Sequence, residues 1–127
     1  MNINAVITEL KKKYPGKSII LNDKQDLTEI LCEVEPGNLH PSFSVAVSVI
    51  DKTIPHYHEK ITETYEVLKG ELDLKVEDKT YNLKEGESFT IQPREVHSAS
   101  GNETWIKCTS KPAWNPHDHL RVDEKKV

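Results

Sequence analysis

The strongest constraint on the fold is a series of short apolar segments that runs from about residue 18 to about residue 109. In most of them apolar side chains alternate with polar ones, which is the pattern of half-buried β-strands. Turn sequences such as Pro36-Gly37-Asn38 separate the segments. Short strands broken by turns at roughly regular spacing indicate an all-β sandwich or barrel. The predicted strand segments are 18–21, 30–34, 43–50, 72–76, 80–83, 89–91 and 105–109.

One segment near the N-terminus departs from this pattern. Five apolar or aromatic residues recur there at helical spacing, and Pro15-Gly16 follows them. Proline and glycine are typical of the end of a helix. The sequence therefore predicts one short amphipathic helix in an N-terminal arm of about residues 1–30. The five residues are Ile3, Val6, Ile7, Leu10 and Tyr14.

Length and charge exclude several classes of function. A chain of 127 residues fits one domain, and a net charge of −4 without a stripe of lysine and arginine argues against nucleic-acid binding. The basic run at 11–13 ends the predicted helix, where positive charge complements the helix dipole. The longest near-apolar run, 43–50, is too short to span a bilayer, and no apolar leader precedes it. We expect a cytoplasmic protein that binds neither nucleic acid nor membrane, with reduced thiols at Cys32 and Cys108.

Candidate metal ligands occur in the segment HYHEKITETYEVLKG, residues 56–70. Residues two apart in a strand point to the same side, so His56 and His58 can present their imidazoles to one ion. Glu63 follows five residues later, and a hairpin bend can bring its carboxylate to the same place. Imidazole and carboxylate together suit several first-row divalent metals. Gly70 then marks a tight turn.

A second segment, GESFTIQPREVHS at residues 86–98, supplies a fourth candidate. Gly86 opens a turn, a short strand follows, and Pro93 breaks it before His97 begins the next strand. If the barrel closes, His97 is the expected fourth ligand.

The chain also contains a competing pair of histidines, His117 and His119, with Glu124 five residues further on. This second pair has no glycine seven residues after the glutamate, no strand hairpin around it and no later histidine. It falls in a charged C-terminal tail. The sequence therefore selects the first pair as ligands and predicts that the second pair has no part in metal binding.

The two segments together resemble the cupin superfamily. The first cupin motif has the form HxH, four residues, Glu, six residues, Gly. The residues that match it at every spacing are His56, His58, Glu63 and Gly70. The second motif is matched, with its proline one place later, by Gly86, Pro93 and His97. Arg94 stands where the family usually has glycine.

The resemblance implies a single domain, with a small antiparallel jelly-roll barrel over about residues 42–110 and a tail at about 111–127. It implies one divalent ion of manganese, iron, nickel, zinc or copper. The implied ligands are His56, His58, Glu63 and His97. A two-fold homodimer is also implied, and we expect the N-terminal helix and the strand after it to form the contact.

Four further residues are candidates for contacts with a substrate. Tyr65 shares the strand parity of Glu63 and can face the interior, where it either acts in catalysis or simply packs. Gln92 and Arg94 flank His97 at the rim of the predicted barrel. The guanidinium group of Arg94 can bind a carboxylate or phosphate. Trp105 can stack on a substrate, although a core position is the more frequent role for such a residue.

Cupins include isomerases, epimerases, dioxygenases, decarboxylases and binding modules, so the fold does not decide the function. The preferred interpretation is a metal-dependent isomerase or epimerase for a sugar, sugar acid or keto acid, in which Glu63 is both ligand and base. A dioxygenase and a non-catalytic module for a carbohydrate or anion are the alternatives. An extra histidine or glutamate facing the open side of the ion would favour the isomerase. A largely apolar cavity would favour the dioxygenase, and a cavity without a proton-transfer group the binding module.

Overall fold

The fold is given by a computed structural model that describes residues 1–22, 25 and 27–122. Within these residues the chain forms one α-helix, ten β-strands and one 3-10 turn. The helix α1 is Ile3–Lys13 and the 3-10 turn is Pro116–Asp118. The strands are β1 Ser18–Leu21, β2 Glu29–Glu35, β3 Ser44–Lys52, β4 His56–Tyr57, β5 Thr62–Lys69, β6 Leu72–Val76, β7 Lys79–Leu83, β8 Ser88–Ile91, β9 His97–Lys111 and β10 Leu120–Arg121. The all-β class with a short N-terminal helix, predicted from the sequence, is confirmed.

The strands form one antiparallel sheet that curls into a half-barrel. Its main path runs β1-β2-β3-β9-β4-β10. The 15-residue strand β9 also pairs with β5 and β6, so four strands use it as their partner. Strand β7 pairs with β6 in a hairpin, and β8 pairs with β5.

Strand alternation divides the core into two clusters on opposite faces of the sheet. On the inner face, Ile50, Leu72, Leu74 and Ile106 are among the buried residues, and we call this group the barrel cluster. On the outer face a second group packs beneath the helix, and we call it the helix cluster. Its buried members are Val6, Leu10, Ile30, Cys32, Val47, Val49 and Trp105. A sheet with both faces covered in this way leaves little of its apolar surface in water.

Helix α1 has the features that the sequence predicts. The side chain of Asn2 accepts a hydrogen bond from the backbone N–H of Ala5 at 3.2 Å and caps the first turn. The three lysines lie in the last turn, where they complement the helix dipole. Leu10 is fully buried against the sheet. No helix in the described part of the chain is long and apolar enough to cross a membrane.

The C-terminal segment, predicted as a tail at 111–127, contains the 3-10 turn and strand β10. The 3-10 turn is capped by Asn115, whose side chain accepts from the N–H of His117 at 2.8 Å. Strand β10 then pairs antiparallel with β4 and brings the segment back to the barrel. Residues 123–127 of the predicted tail lie outside the described residues. Both Cys32 and Cys108 are free thiols, as predicted.

Candidate metal centre

Four side chains converge at one end of the curled sheet. His56 lies on β4, His58 directly after that strand, Glu63 on β5 and His97 at the start of β9. One potential ligand atom from each lies within 4.8 Å of those of the others, and all four residues are buried. The backbone pairing of His56 with His97 brings two of the three imidazoles side by side. The structure thus brings together the four residues that the sequence selects.

Each of the three histidines donates a hydrogen bond from Nδ1 to a backbone carbonyl. This contact fixes the tautomer and leaves the lone pair on Nε2 for the centre of the cluster. The acceptors for His56, His58 and His97 are the carbonyl groups of Ile54, Asp118 and Glu95, respectively. The histidines are therefore held in the form and orientation that a metal ion requires.

The centre of the cluster contains polar atoms that protein groups do not satisfy. Oε1 of Glu63 lies 3.1 Å from Nε2 of His58 and 3.2 Å from Nε2 of His97. The geometry does not give a hydrogen bond at any of these three buried atoms. Buried polar atoms without a partner are costly, and lone pairs that face one another need a cation between them. A set of three imidazoles and one carboxylate fits a divalent transition metal.

The pKa values favour the ligating protonation states of two members. Burial lowers the pKa of His56 to about 3, helped by the positive charges that His97 and His119 can carry, so the imidazole is neutral at pH 7. Burial alone raises the pKa of Glu63, but contacts with His58 and His97 outweigh it and hold that pKa well below the ordinary value. A neutral imidazole and an ionised carboxylate are the forms that bind metals.

The second oxygen of Glu63 is also in contact with the protein. Oε2 accepts hydrogen bonds from the thiol of Cys108 and the hydroxyl of Ser110, both at 3.5 Å. For a hydroxyl donor this is a long hydrogen bond. Burial, followed by the charge of Glu63, raises the pKa of the Cys108 thiol well above its ordinary value, so the thiol keeps its proton and can donate. Both carboxylate oxygens of Glu63 therefore have defined neighbours.

The structure corrects the prediction that His119 lies in a tail away from the site. Its ring stacks on that of His56 with the centroids 4.3 Å apart and lies 5.5 Å from that of His58. The carboxylate of Asp118 anchors this segment by accepting from the N–H groups of Glu59 at 2.7 Å and Lys60 at 3.1 Å. His119 lies about 60 residues from His58 in the sequence, but the pairing of β10 with β4 brings the two side chains together.

A cavity of about 360 Å³ extends from the cluster and is lined by residues of six strands, β1 to β5 and β9. Burial raises the pKa of Tyr65, which lines it, well above the ordinary value. No lysine or arginine among the described residues lines the cavity. Its walls include Leu21, Glu29, Leu31, Ser48, Thr53, His56, Glu63, Tyr65, Ile106, Cys108, Ser110, Trp114 and His119. A larger and more open groove of about 810 Å³ adjoins the cavity and shares Glu33, Pro36, Gly37 and Trp114 with it, but no member of the cluster lines it.

Gln92 and Arg94, predicted to contact a substrate, do not line this cavity. Both are exposed in the turn before His97. The Arg94 side chain is 79% exposed and pairs with Glu59 at 3.2 Å. Its backbone has φ 72°, in the left-handed region that favours glycine, which explains why the family usually has glycine there. The Arg94 N–H donates to the carbonyl of His58 at 2.6 Å, so this turn supports the cluster through its backbone.

Trp105 likewise lies away from the cavity. It is buried in the helix cluster, and Nζ of Lys13 lies 5.1 Å from its ring centroid. The neighbouring residue Ile106 has the opposite parity on β9 and is the one that lines the cavity. The structure therefore gives Trp105 the core role that the sequence analysis considered more frequent.

Two cavity residues, Glu29 and His119, were not proposed from the sequence as site residues. His119 has a signal in its spacing from His117, but the second pair lacks the glycine and the hairpin that distinguish the first pair. Glu29 begins β2 and reads as a polar residue at a strand end. Its signal was its parity with Leu31, opposite to that of the helix-facing Ile30 and Cys32.

Comparison with known proteins agrees with this architecture. A family model described as a cupin domain matches residues 43–105, about half of the chain. Pac13, a nucleoside dehydratase from Streptomyces, has a similar structure, with a TM-score of 0.72 and 18% identity over 85% of this chain and 88% of its own. KdgF from Halomonas sp. has a TM-score of 0.67 and 15% identity over 79% and 90%. An oxalate decarboxylase variant from Bacillus subtilis has a TM-score of 0.72 and 12% identity, over 86% of this chain and 31% of its own.

At such low identity the structural likeness shows the fold alone. No curated protein sequence matches the chain. The family match and the shared fold define the class of protein: the chain belongs to the cupin superfamily, as a small cupin-domain protein. The resemblance found in the sequence motifs is thereby confirmed.

Proposed function

We propose that this protein is a metal-dependent cupin enzyme of the isomerase or epimerase type, acting on a sugar, sugar acid or keto acid. One observation carries the proposal. The four-residue cluster opens into a cavity that also contains His119, stacked on His56, and the hydroxyl-bearing Tyr65. An extra histidine on the open side of the cluster is the feature that favours proton-transfer chemistry over simple binding.

The residues of the chain divide into those that would hold the ion and those that would act on a substrate. A divalent ion held by His56, His58, Glu63 and His97 would act as a Lewis acid on a carbonyl or on adjacent hydroxyl groups. The Nδ1 hydrogen bonds keep the three imidazoles in orientation. His119 and Tyr65 border the remaining space and can donate to or accept from polar groups of a small molecule.

The solved relatives give limited support to this class of substrate. Pac13 is described as a nucleoside dehydratase and has been solved with uridine, a small molecule that contains a sugar. The Bacillus subtilis relative is an oxalate decarboxylase. Both descriptions concern small polar molecules, so uridine and small carboxylic acids belong in a substrate screen of this protein.

A dioxygenase is the second candidate. The observation that favours it is the apolar part of the cavity wall, which includes Leu21, Leu31 and Ile106. A dioxygenase consumes O₂ in proportion to product, whereas an isomerase consumes none. A binding module would hold a carbohydrate or anion and convert neither.

Elemental analysis of protein purified without a metal-chelating tag tests the metal on which the enzyme proposals depend. We expect about one divalent ion per chain, and near-complete loss of it in His58→Ala, because losing one ligand also misorients the others. The exposed His117 provides the matched control, and His117→Ala should keep the ion. Retention of the ion in His58→Ala would contradict the assigned ligand set.

A substrate screen of the metallated protein then separates the functions. Turnover of a sugar, sugar acid or keto acid without O₂ uptake supports the isomerase, and coupled O₂ uptake supports the dioxygenase. Saturable binding with no conversion supports the binding module. A homodimer in the cytoplasm that binds neither nucleic acid nor membrane remains our proposal for the setting of the protein.

A further inference from the structure

Glu29 places a carboxyl group in the cavity that the four-residue cluster does not use. It begins β2, where its backbone N–H donates to Oδ1 of Asn22 at 2.9 Å and its carbonyl accepts from the N–H of Asn22 at 3.2 Å. These two bonds fix the start of the strand. Alternation then directs Glu29 and Leu31 toward the cavity, while Ile30 is buried under the helix. The position of the carboxyl is thus set by the register of the sheet.

The surroundings of Glu29 are unusual for an acidic side chain. No lysine or arginine in the described part of the chain lines the cavity, so nothing of that kind neutralises its charge there. The pKa of Glu29 is raised to about 7, first by burial and then by the charge of Glu63, while a hydrogen bond with the hydroxyl of Ser48 acts in the opposite direction. Both protonation states of Glu29 are therefore accessible near neutral pH, which suits a group that takes and returns a proton.

Two other acidic groups of the cavity wall, Glu63 and Tyr65, are less suited to this role. Oε1 of Glu63 faces His58 and His97, and Oε2 accepts from Cys108 and Ser110. Glu63 therefore has no oxygen free for a substrate. Burial keeps the hydroxyl of Tyr65 protonated, so it can donate a hydrogen bond but is a poor base.

We propose that Glu29 is a catalytic residue that transfers a proton to and from the carbon atoms of a substrate held between it and the metal cluster. This inference rests on the proposed isomerase function and names its base. It also narrows the substrate class to molecules with a C–H bond next to a carbonyl group, such as open-chain sugars and 2-keto acids.

The step balances without an oxidant or any other reactant. The carboxylate of Glu29 takes a proton from the carbon next to the carbonyl, and the C–H electron pair forms a C=C bond as the carbonyl pair moves to oxygen. In a 2-hydroxy carbonyl compound such as an open-chain sugar, the neutral carboxyl then returns this proton to the former carbonyl carbon. The hydroxyl proton of the adjacent carbon moves to the first oxygen, so the carbonyl forms again on the adjacent carbon. Atoms and charge are the same at the end as at the beginning, so the net change is an isomerisation.

The experiment follows exchange of carbon-bound protons in D₂O by proton NMR. The probes are D-xylose, D-fructose, D-glucuronate and pyruvate, each with protein that carries its ion. We compare wild type with Glu29→Gln, which keeps the shape but removes the base, and with Glu29→Asp, which keeps a carboxyl. The exposed Glu85, at the turn before β8, gives the matched control Glu85→Gln. Metal content and probe binding by calorimetry are measured for every variant.

We expect wild type and Glu85→Gln to exchange at least one probe at equal rates. Glu29→Gln should slow the exchange on the order of a hundredfold or more. Its metal content and probe affinity should change little, and Glu29→Asp should retain more exchange than Glu29→Gln. Exchange by Glu29→Gln at the wild-type rate would refute the role of Glu29 and leave the proposed function standing. Failure of metallated wild type to exchange any probe would refute the isomerase proposal, and this inference with it.

Discussion

Replacing Glu29 by glutamine removes one ionisable group from the cavity wall and keeps the shape of the side chain. The pKa of Glu29 is raised from 4.5 to about 7, first by burial and then by the charge of Glu63. A carboxyl whose pKa is higher in the folded state favours folding in its neutral form. That contribution is fully present below about pH 4.5 and is lost as the pH rises through about 7. Glutamine is neutral throughout, so Glu29→Gln should gain stability relative to wild type over this range.

The size of the effect follows from the shift itself. Each pKa unit corresponds to about 1.4 kcal/mol, so the full shift corresponds to about 3 kcal/mol. Glu29 is half-buried, and solvent that reaches it through the cavity reduces the difference. We therefore expect the unfolding free energy of Glu29→Gln to rise by about 2 kcal/mol relative to that of wild type between pH 5 and pH 8.

Urea unfolding of both proteins at pH 5 and pH 8, followed by circular dichroism, measures this difference. Both proteins are first stripped of metal with a chelator, because a bound cation would interact differently with Glu29 and with glutamine. A difference that does not change with pH would refute the buried-carboxyl argument. An unfolding free energy of wild type that rises relative to that of the variant as the pH rises would show an effect of the opposite sign.

Three further predictions concern the anchor of the C-terminal segment, a surface ion pair and the assembly. Asp118→Asn weakens the anchor of the segment whose backbone carbonyl orients His58. It should therefore lower the metal affinity measured by chelator competition by about 10–100-fold. An affinity equal to that of the exposed control variant Asp78→Asn would contradict this. Both ring nitrogens of His40 contact acceptors, Glu35 first and then a backbone carbonyl, so its pKa is raised. NMR titration should show a lower His40 pKa in Glu35→Gln than in wild type. The stability that the pair contributes in wild type should be lost as the pH rises through the His40 pKa. An unchanged His40 pKa in the variant would exclude the pair as the cause of the raised value. Light scattering at micromolar concentration should give twice the 14.5 kDa chain mass, and a monomer mass would count against a dimer through α1 and β1.

The metal cluster was predictable because its signals are local. His56, His58 and Glu63 lie within eight residues of one another, and their spacing places them at one bend of the sheet. His97 required the turn after Pro93, which the sequence marks clearly. The family's usual glycine at position 94 indicates a left-handed backbone, and Arg94 has that conformation in the structure.

The rest of the site depends on contacts that strand patterns do not encode. On β2 and β9 both faces are covered, one by the helix and one by the cavity, so polarity does not tell which face is inside. The pattern therefore does not distinguish Trp105 from Ile106 as the residue that faces the cavity, and it does not mark Glu29. The return of His119 depends on β10, a strand of two residues that is too short to show any periodicity.

The pairing of four strands with β9 has a consequence for the order in which the protein can fold. Strands β3, β4, β5 and β6 all precede β9 in the chain, and Ser44 must pair with Ser110 across most of the barrel. During synthesis these strands leave the ribosome before their shared partner exists, so their edges stay open until β9 follows. Non-local pairings of this kind slow folding and expose strand edges to other chains. The newly made chain is therefore most vulnerable to aggregation just before β9 emerges, and the metal ligands cannot assemble until His97 has arrived.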